Sequence, residues 1–224
     1  MSQVITLAQF REWLLAFASE ISENEQYLTE LDASIGDADH GINMQRGMHK
    51  VGERLRDAEN QADDVATLFR SVAMTLISTV GGAAGPLYGA FFLRAVKNIN
   101  GNTSVTAEEL ATMFRDGLDG VQQRGKAQLN EKTMIDALQP AVEALEDAVA
   151  AGDSLTDALA AALIEAENGM KYTAELQASK GRASYLGPRS IGHQDPGATS
   201  AFYLIQSAAI VLGGVEQEVA GAPT

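Results

Sequence analysis

The chain has 224 residues, enough to bury a substantial core as one domain or at most two small ones. Apolar residues make up 46% and aromatics only 6%, alanine is abundant and there are five prolines, a mix that suits closely packed helices better than a β-sandwich. The absence of cysteine excludes disulfides, thiolate metal sites and a cysteine nucleophile, and a formal charge of −14, from 16 basic and 30 acidic residues, repels nucleic acid and anionic lipid. No leader pattern opens the chain and no apolar stretch is long enough to span a membrane, so a soluble cytoplasmic protein that binds neither nucleic acid nor membrane is expected.

Thr6, with Gln9 three residues on, forms a capping-box pattern and opens a helix carrying Leu7, Phe10, Trp13, Leu14, Phe17 and Ile21 to about Asn24. Glu25 to Leu31 reads as a short turn into a carboxylate-rich stretch. A second helix spans about Gly41 to Asp57 and a third about Ala62 to Val80. The run Gly81 to Gly89 breaks the third and starts a fourth, with Pro86 suited to its first turn, through Ile99. Thr106 with Glu109 repeats the capping box and opens a fifth helix through Val121, followed by a polar loop from Gly125 to Thr133. A sixth covers about Met134 to Ala151, with a break or kink near Pro140, and a seventh runs from a cap at Asp153 or Ser154 to about Ser179. Lys180 to Gly197 is rich in glycine and proline and lacks helical period, a last apolar helix covers about Ala198 to Leu212, and Gly213 to Thr224 reads as a frayed tail. No alternating strand is found. The expectation is one all-α domain of eight helices over residues 1–212.

Three carboxylates lie close together in the stretch from Leu31 to Asn43: Asp32, Asp37 and Asp39, interleaved with Gly36, Gly41 and His40. They are hard oxygen ligands of the kind Mg²⁺ prefers, although ordinary turns are also rich in Asp and Gly. An EF-hand is excluded, because the glycine comes one place early and Met48 stands where the bidentate glutamate belongs. Gly120 to Lys126 has the glycine and lysine spacing of a P-loop, but Ala127 follows and a helix precedes. Arg124 and Lys126 read either as cations near a phosphate or as solvated surface. The Gly81–Gly85 turn before a helix reads either as a backbone cradle for phosphate or as tight packing of small residues. The long loop holding Arg182 and Asp195 is of a length that compact domains reserve for function or leave disordered. His40 and His193 are candidate bases, phosphate donors or plain turn residues, with no neighbouring pattern for a nucleophilic triad.

Taken together, these blocks resemble the L subunit of the dihydroxyacetone kinase that draws on the phosphotransferase system. The resemblance rests on Leu31-Asp32 with Gly36 to Gly41 and Asn43, Thr79 to Ala83 with Gly85-Pro86, Met113 to Gly117, Arg124 to Ala127, Lys132 to Met134, Lys180 to Gly187 and Ser190 to Thr199, in the family's order. It implies an eight-helix antiparallel barrel with ADP at one end, bound through two Mg²⁺ ions. Asp32, Asp37 and Asp39 match the family's metal ligands. His40, Gly41, Ile42, Asn43, Ala83, Ala84, Gly125, Met134, Arg182, Asp195, Pro196 and Gly197 match its nucleotide contacts, and Ala84 departs from a more usual serine. The implied chemistry is phosphoryl transfer, with the aspartates and Arg182 in catalytic roles. A phosphohistidine on a partner M subunit recharges bound ADP to ATP, and the phosphoryl group passes to dihydroxyacetone held by a K subunit. Neither His40 nor His193 is assigned as the phosphorylated residue. Two alternatives stand beside this: a subunit of an ATP-dependent ketose kinase, and a nucleotide-sensing module that binds a transcriptional regulator without turnover.

Overall fold

The computed structural model describes residues 4–57 and 61–216. Val4–Thr6 forms a three-residue strand, β1, and Thr6 then caps α1 (Leu7–Glu23): its Oγ1 accepts from Gln9 N at 3.3 Å while Thr6 N donates to Gln9 Oε1 at 3.0 Å. Helix α2 (Glu25–Ile35) follows, then α3 (His40–Arg56), α4 (Val65–Thr79) and α5 (Ala84–Ala95). Strand β2 (Ser104–Thr106) pairs antiparallel with β1, Ile5 opposite Val105, and its last residue caps α6 (Ala107–Gly125) through the second capping box. Helices α7 (Ile135–Ala151), α8 (Leu155–Tyr172) and α9 (Pro196–Gly213) complete the chain's regular structure.

Eight of these helices close a ring. Helix α1 packs on α3, each helix from α3 to α8 packs on its successor, and α9 returns to α1, with α2 laid against α3 and α9. Leu7 N donates to Thr103 O at 2.8 Å and Val65 N to Asn102 O at 2.9 Å, so α1, α4 and α6 all start at the end of the ring that carries the small sheet. The first residues of α3, α5, α7 and α9 meet at the opposite end. Neighbours around the ring therefore run antiparallel, and this is the all-helical fold expected.

Inside the sheet end, Trp13 is fully buried and surrounded by Phe10, Phe69, Phe92 and Phe114, with ring centroids 5.7–6.3 Å from its own. Its indole N–H donates to Leu204 O and Ser207 Oγ, both at 3.1 Å, so the large ring is buried without stranding its one donor. The main apolar core runs from Ile5 to Leu212, and a smaller cluster forms around Ile35.

The structure corrects the expected boundaries at several places. Glu25–Leu31 is helix, not turn: Leu28, Asp32 and Ile35 form the buried side of α2, and one of those three is a carboxylate, which breaks the apolar period. Two strands exist where none was expected, each too short to show alternation. Helix α6 runs on to Gly125, and α8 stops at Tyr172, seven residues before the expected end, passing into a 3-10 turn at Thr173–Glu175. The irregular stretch contains further 3-10 turns over Arg182–Ser190, broken at Gly187. Pro140 lies within α7. Of the frayed tail expected from Gly213, that residue closes α9 and Gly214 caps it with φ 67°, while residues 217–224 lie outside the described residues.

Candidate functional site

The last turn of α2 delivers Asp32 to the open end of the ring. Its Oδ2 accepts from the backbone N–H of Asp39 at 2.8 Å and of His40 at 3.1 Å, which folds the Gly36–Asp39 turn back over the end of the helix. Ala38 adopts a left-handed φ of 60° there, a conformation that costs an L-residue roughly 1–2 kcal/mol. Gly36 approaches so closely that a Cβ would lie 2.8 Å from Asp32 Cγ. These constraints bring carboxylate oxygens of Asp32, Asp37 and Asp39 within 4.8 Å of one another. Asp39 also stands at the N-cap of α3, where a carboxylate ordinarily accepts from the helix amides, yet it makes no such bond. Its oxygens stay available to something outside the helix.

Among the described residues one cation pairs with the cluster: Arg182 Nη2 lies 2.9 Å from Asp37 Oδ2. A small apolar group holds it there, Ala178, Ala183 and Leu186 packing on Ile35 at the end of α2. Facing the aspartates, the Gly81–Gly82 turn (Gly82 φ 64°) leads into α5, whose N-cap is Ala83 and offers the helix amides no side-chain acceptor. Anions are stabilised at such helix N-termini by the amide donors and the helix dipole. Asn43 joins this wall, its Oδ1 accepting from Arg46 Nη2 at 2.6 Å while Arg46 Nε donates to Thr79 O at 3.0 Å, so one arginine orients the amide and ends α4.

His40 Nε2 is 2.9 Å from Ser200 Oγ, which also accepts from Tyr88 Oη at 2.9 Å. Burial lowers the His40 pKa to about 4 against the opposing pull of Asp32 and Asp39, leaving a neutral imidazole at neutral pH. Asp195 caps α9, its Oδ2 accepting from Ala198 N at 2.7 Å. Burial raises its pKa to about 7, although the Ala198 amide and Lys132 both favour the charged form.

The resulting cleft has a volume of about 1020 Å³, at the upper end of the 300–1000 Å³ typical of small-molecule sites. Of the positions singled out in the sequence, His40, Asn43, Ala83, Ala84, Gly125 and Met134 line it together with the three aspartates. Arg182, Asp195, Pro196 and Gly197 line it from the other side. Gly41 and Ile42 do not. Gly41 is buried under α2, where a Cβ would lie 2.8 Å from Thr29 N, and Ile42 is half exposed outside the cleft. Arg124 lines the cleft, whereas Lys126 is the exposed, left-handed cap of α6. The P-loop lookalike is thus the last turns of a helix. The His193 side chain is exposed, and its backbone oxygen accepts from Lys132. Ser200 and Arg46 belong to no motif in the sequence, and Tyr88 and Lys132 stand there only within the Gly81–Gly89 and Lys132–Met134 blocks, with no sign of these roles.

Comparison with known proteins finds relatives over most of the chain. The DAK2 domain matches residues 34–209. The chain is 48% identical over 206 residues to the ADP-binding subunit DhaL of the PEP-dependent dihydroxyacetone kinase of Escherichia coli K12, covering 92% of this chain and 97% of that one. It is 43% identical over 204 residues to the ADP-binding subunit DhaL of the PTS-dependent dihydroxyacetone kinase of Lactococcus lactis, covering 91% and 97%. The crystal structure of the dihydroxyacetone kinase from C. freundii in complex with AMP-PNP and Mg²⁺ shares the fold with a TM-score of 0.68 at 26% identity, over 93% of this chain and 35% of that longer one. With the domain matched over most of its length and its helical fold shared by a solved kinase, this chain belongs to the DAK2 domain family.

Proposed function

We propose that this chain is the ADP-binding subunit of a dihydroxyacetone kinase supplied by the phosphotransferase system, and that the cleft at the open end of the ring holds ADP and Mg²⁺. The observation that carries the reading is the carboxylate cluster with its oxygens within 4.8 Å, set across a cleft of nucleotide size from the uncapped start of α5. An octahedral Mg²⁺ with bonds near 2.1 Å sets its ligand oxygens roughly 3–4 Å apart, so the cluster suits oxygens that share a pair of ions or close slightly on one. The donors are all oxygen, as Mg²⁺ prefers. Higher identity to separate ADP-binding subunits (48% and 43%) than to the longer kinase (26%) supports the multi-subunit form.

Asp32, Asp37 and Asp39 would hold the metal, with Asp32 pinned by the two backbone amides it accepts from. Bound there, Mg²⁺ supplies charge neutralisation to the terminal phosphates of ADP, which takes a phosphoryl group from a phosphohistidine on an M-type partner and yields it to dihydroxyacetone on a K-type partner. The chain's own task is positioning. Arg182, 2.9 Å from Asp37, places positive charge beside the cluster; the start of α5 offers amides to phosphate; Met134, Gly125 and Ala84 line the cleft where the base would lie. Ala84 has no hydroxyl, so phosphate contact at that turn falls to backbone N–H. The neutral His40, held by Ser200, presents no competing charge.

Acid extraction of the purified protein tests the reading: about one ADP per chain should be recovered after dialysis, and a chelator should release it. Protein that retains no nucleotide and shows no Mg²⁺-dependent nucleotide binding overturns it. Dihydroxyacetone phosphate should form only when both a K-type subunit and a phosphorylated M-type partner are added. Equal turnover with free ATP and the K-type subunit alone would establish an ATP-dependent ketose kinase instead.

A further inference from the structure

Lys132 is buried to 1% exposure, and nothing in the proposed chemistry uses it. It stands in the loop between α6 and α7 at a left-handed φ of 60°, and its Nζ donates to two backbone oxygens, Thr173 O and His193 O. Those two oxygens are the two ends of the irregular segment that carries Arg182: Thr173 directly follows α8, and His193 lies two residues before the cap of α9. The same root is drawn together by Asp195 N donating to Thr173 Oγ1 at 2.9 Å and Gly192 N to Ala174 O at 2.7 Å. On the lysine's own side, Asp136 fixes the loop by accepting from Thr133 N at 2.7 Å. Burying an ammonium is unfavourable unless its donors are satisfied and a counter-charge is near. Here burial pulls the Lys132 pKa down while Asp195 and Asp136 pull it up.

We infer that Lys132 is a positioning residue: its ammonium staples both ends of segment 173–195 to the α6–α7 loop and so sets Arg182 and Asp195 against the aspartate cluster. A compact ammonium with three divergent donors suits two carbonyls that approach from different strands of chain. Without it, the His193 carbonyl loses its donor, the Thr173 carbonyl is left with the longer bond from Leu176 N at 3.3 Å, and the ties remaining to the α6–α7 loop are long ones such as Ser179 N to Glu131 O at 3.3 Å. The staple itself stands on geometry alone; its effect on nucleotide rests on the function proposed above.

The test is hydrogen exchange on the nucleotide-free full-length protein, comparing wild type, Lys132→Met and Lys132→Arg, with Mg²⁺–ADP titrations of the same samples. Lys132→Met should speed exchange of amides in 174–194 at least ten-fold while those of α1 and α4 keep their rates, and should raise the ADP dissociation constant at least ten-fold. Lys132→Arg should restore part of both. Unchanged exchange in 174–194, equal acceleration in α1 and α4, or ADP affinity within two-fold of wild type despite a loosened segment would each overturn the inference. If wild type binds no ADP, the nucleotide reading falls while the exchange comparison still decides the staple. Should Lys132→Met not fold, wild type decides alone: reductive methylation should reach Lys132 at least ten times more slowly than the exposed Lys126, and equal rates would sink the staple.

Discussion

The two ends of the helical ring solve the same structural problem in opposite ways. Each end gathers four helix N-termini, whose first amides need acceptors. At the sheet end every ring helix is capped by the side chain of its own N-cap residue: Thr6 on α1, Asp64 on α4, Thr106 on α6 and Ser154 on α8. At the cleft end Asp39 gives α3 no cap from its own side chain, the first amides being taken by Asp32 instead, and Ala83 cannot cap α5, while Asp195 caps α9 as a buried carboxyl with a raised pKa. Backbone strain divides along the same line. The described non-glycine residues with positive φ are Ala38, Lys126, Asn130 and Lys132, all on loops at the cleft end, whereas the turn at Gly101 beside the sheet and the link at Gly152 use glycine. The closed end is built for stability and the open end withholds stabilisation that a ligand can supply.

The sharpest way to break that contrast is to damage the closed end alone. Trp13→Ala removes the centre of the aromatic cluster and both indole hydrogen bonds, and should cost about 3–5 kcal/mol of stability by denaturant titration. Mg²⁺–ADP affinity of the molecules still folded should change less than two-fold. A large loss of affinity at unchanged fold would show that the two ends are coupled.

The reverse damage is Asp37→Asn at the open end. One carboxylate charge disappears from the cluster and the Arg182 contact weakens, so Mg²⁺-dependent ADP binding should fall at least a hundredfold, about 2.7 kcal/mol, in calorimetric titration. Helical circular dichroism and the melting temperature without ligand should stay close to wild type, because Asp37 is exposed and caps nothing. Undiminished ADP affinity would remove the metal-site assignment.

How far these two ends were legible in the sequence follows from how local their partners are. The caps at Thr6 and Thr106 were readable because cap and partner lie three residues apart. The clustering of Asp37 with Asp39 was readable for the same reason. Helix α2 was not, since its buried side is Leu28, Asp32 and Ile35, and a carboxylate in a buried row looks like the end of a helix. The Tyr88–Ser200–His40 chain joins residues 112 and 160 apart, and Lys132 bonds to backbone oxygens 41 and 61 residues away. A backbone acceptor leaves no side-chain signature. The end of α8 and the segment after it are not legible, because that segment takes its shape from Lys132 bonding to Thr173 O and His193 O and from the small Ile35 cluster, not from its own period.

A third test uses pH. The Asp195 carboxyl is pushed to about 7 in the folded protein, against about 3.9 in an unfolded chain, so between those values the folded state holds the extra proton. Stability contributed by this group is therefore full below about pH 4 and is lost as pH rises toward 7, at up to about 1.4 kcal/mol per unit. Asp195→Asn keeps an oxygen for the Ala198 amide but cannot ionise. Nucleotide-free variant should thus lose less melting temperature than wild type between pH 4.5 and 7, and parallel curves for the two would refute the buried, charge-averse state of Asp195.

The smallest expected effect probes the strain at the aspartate turn. Ala38 sits at φ 60°, where glycine is at ease and alanine is not. Ala38→Gly should relieve that strain, partly offset by the greater freedom of glycine in the unfolded chain, for a net gain of about 0.5–1 kcal/mol in thermal or denaturant stability. The same freedom should let Asp37 and Asp39 wander from Asp32, so Mg²⁺–ADP affinity should fall a few-fold while stability rises. Stability and binding moving in opposite directions at one residue is what an end that stores strain for its ligand requires. If both rise together, the left-handed alanine is a tolerated defect, and the contrast between the two ends rests on their caps alone.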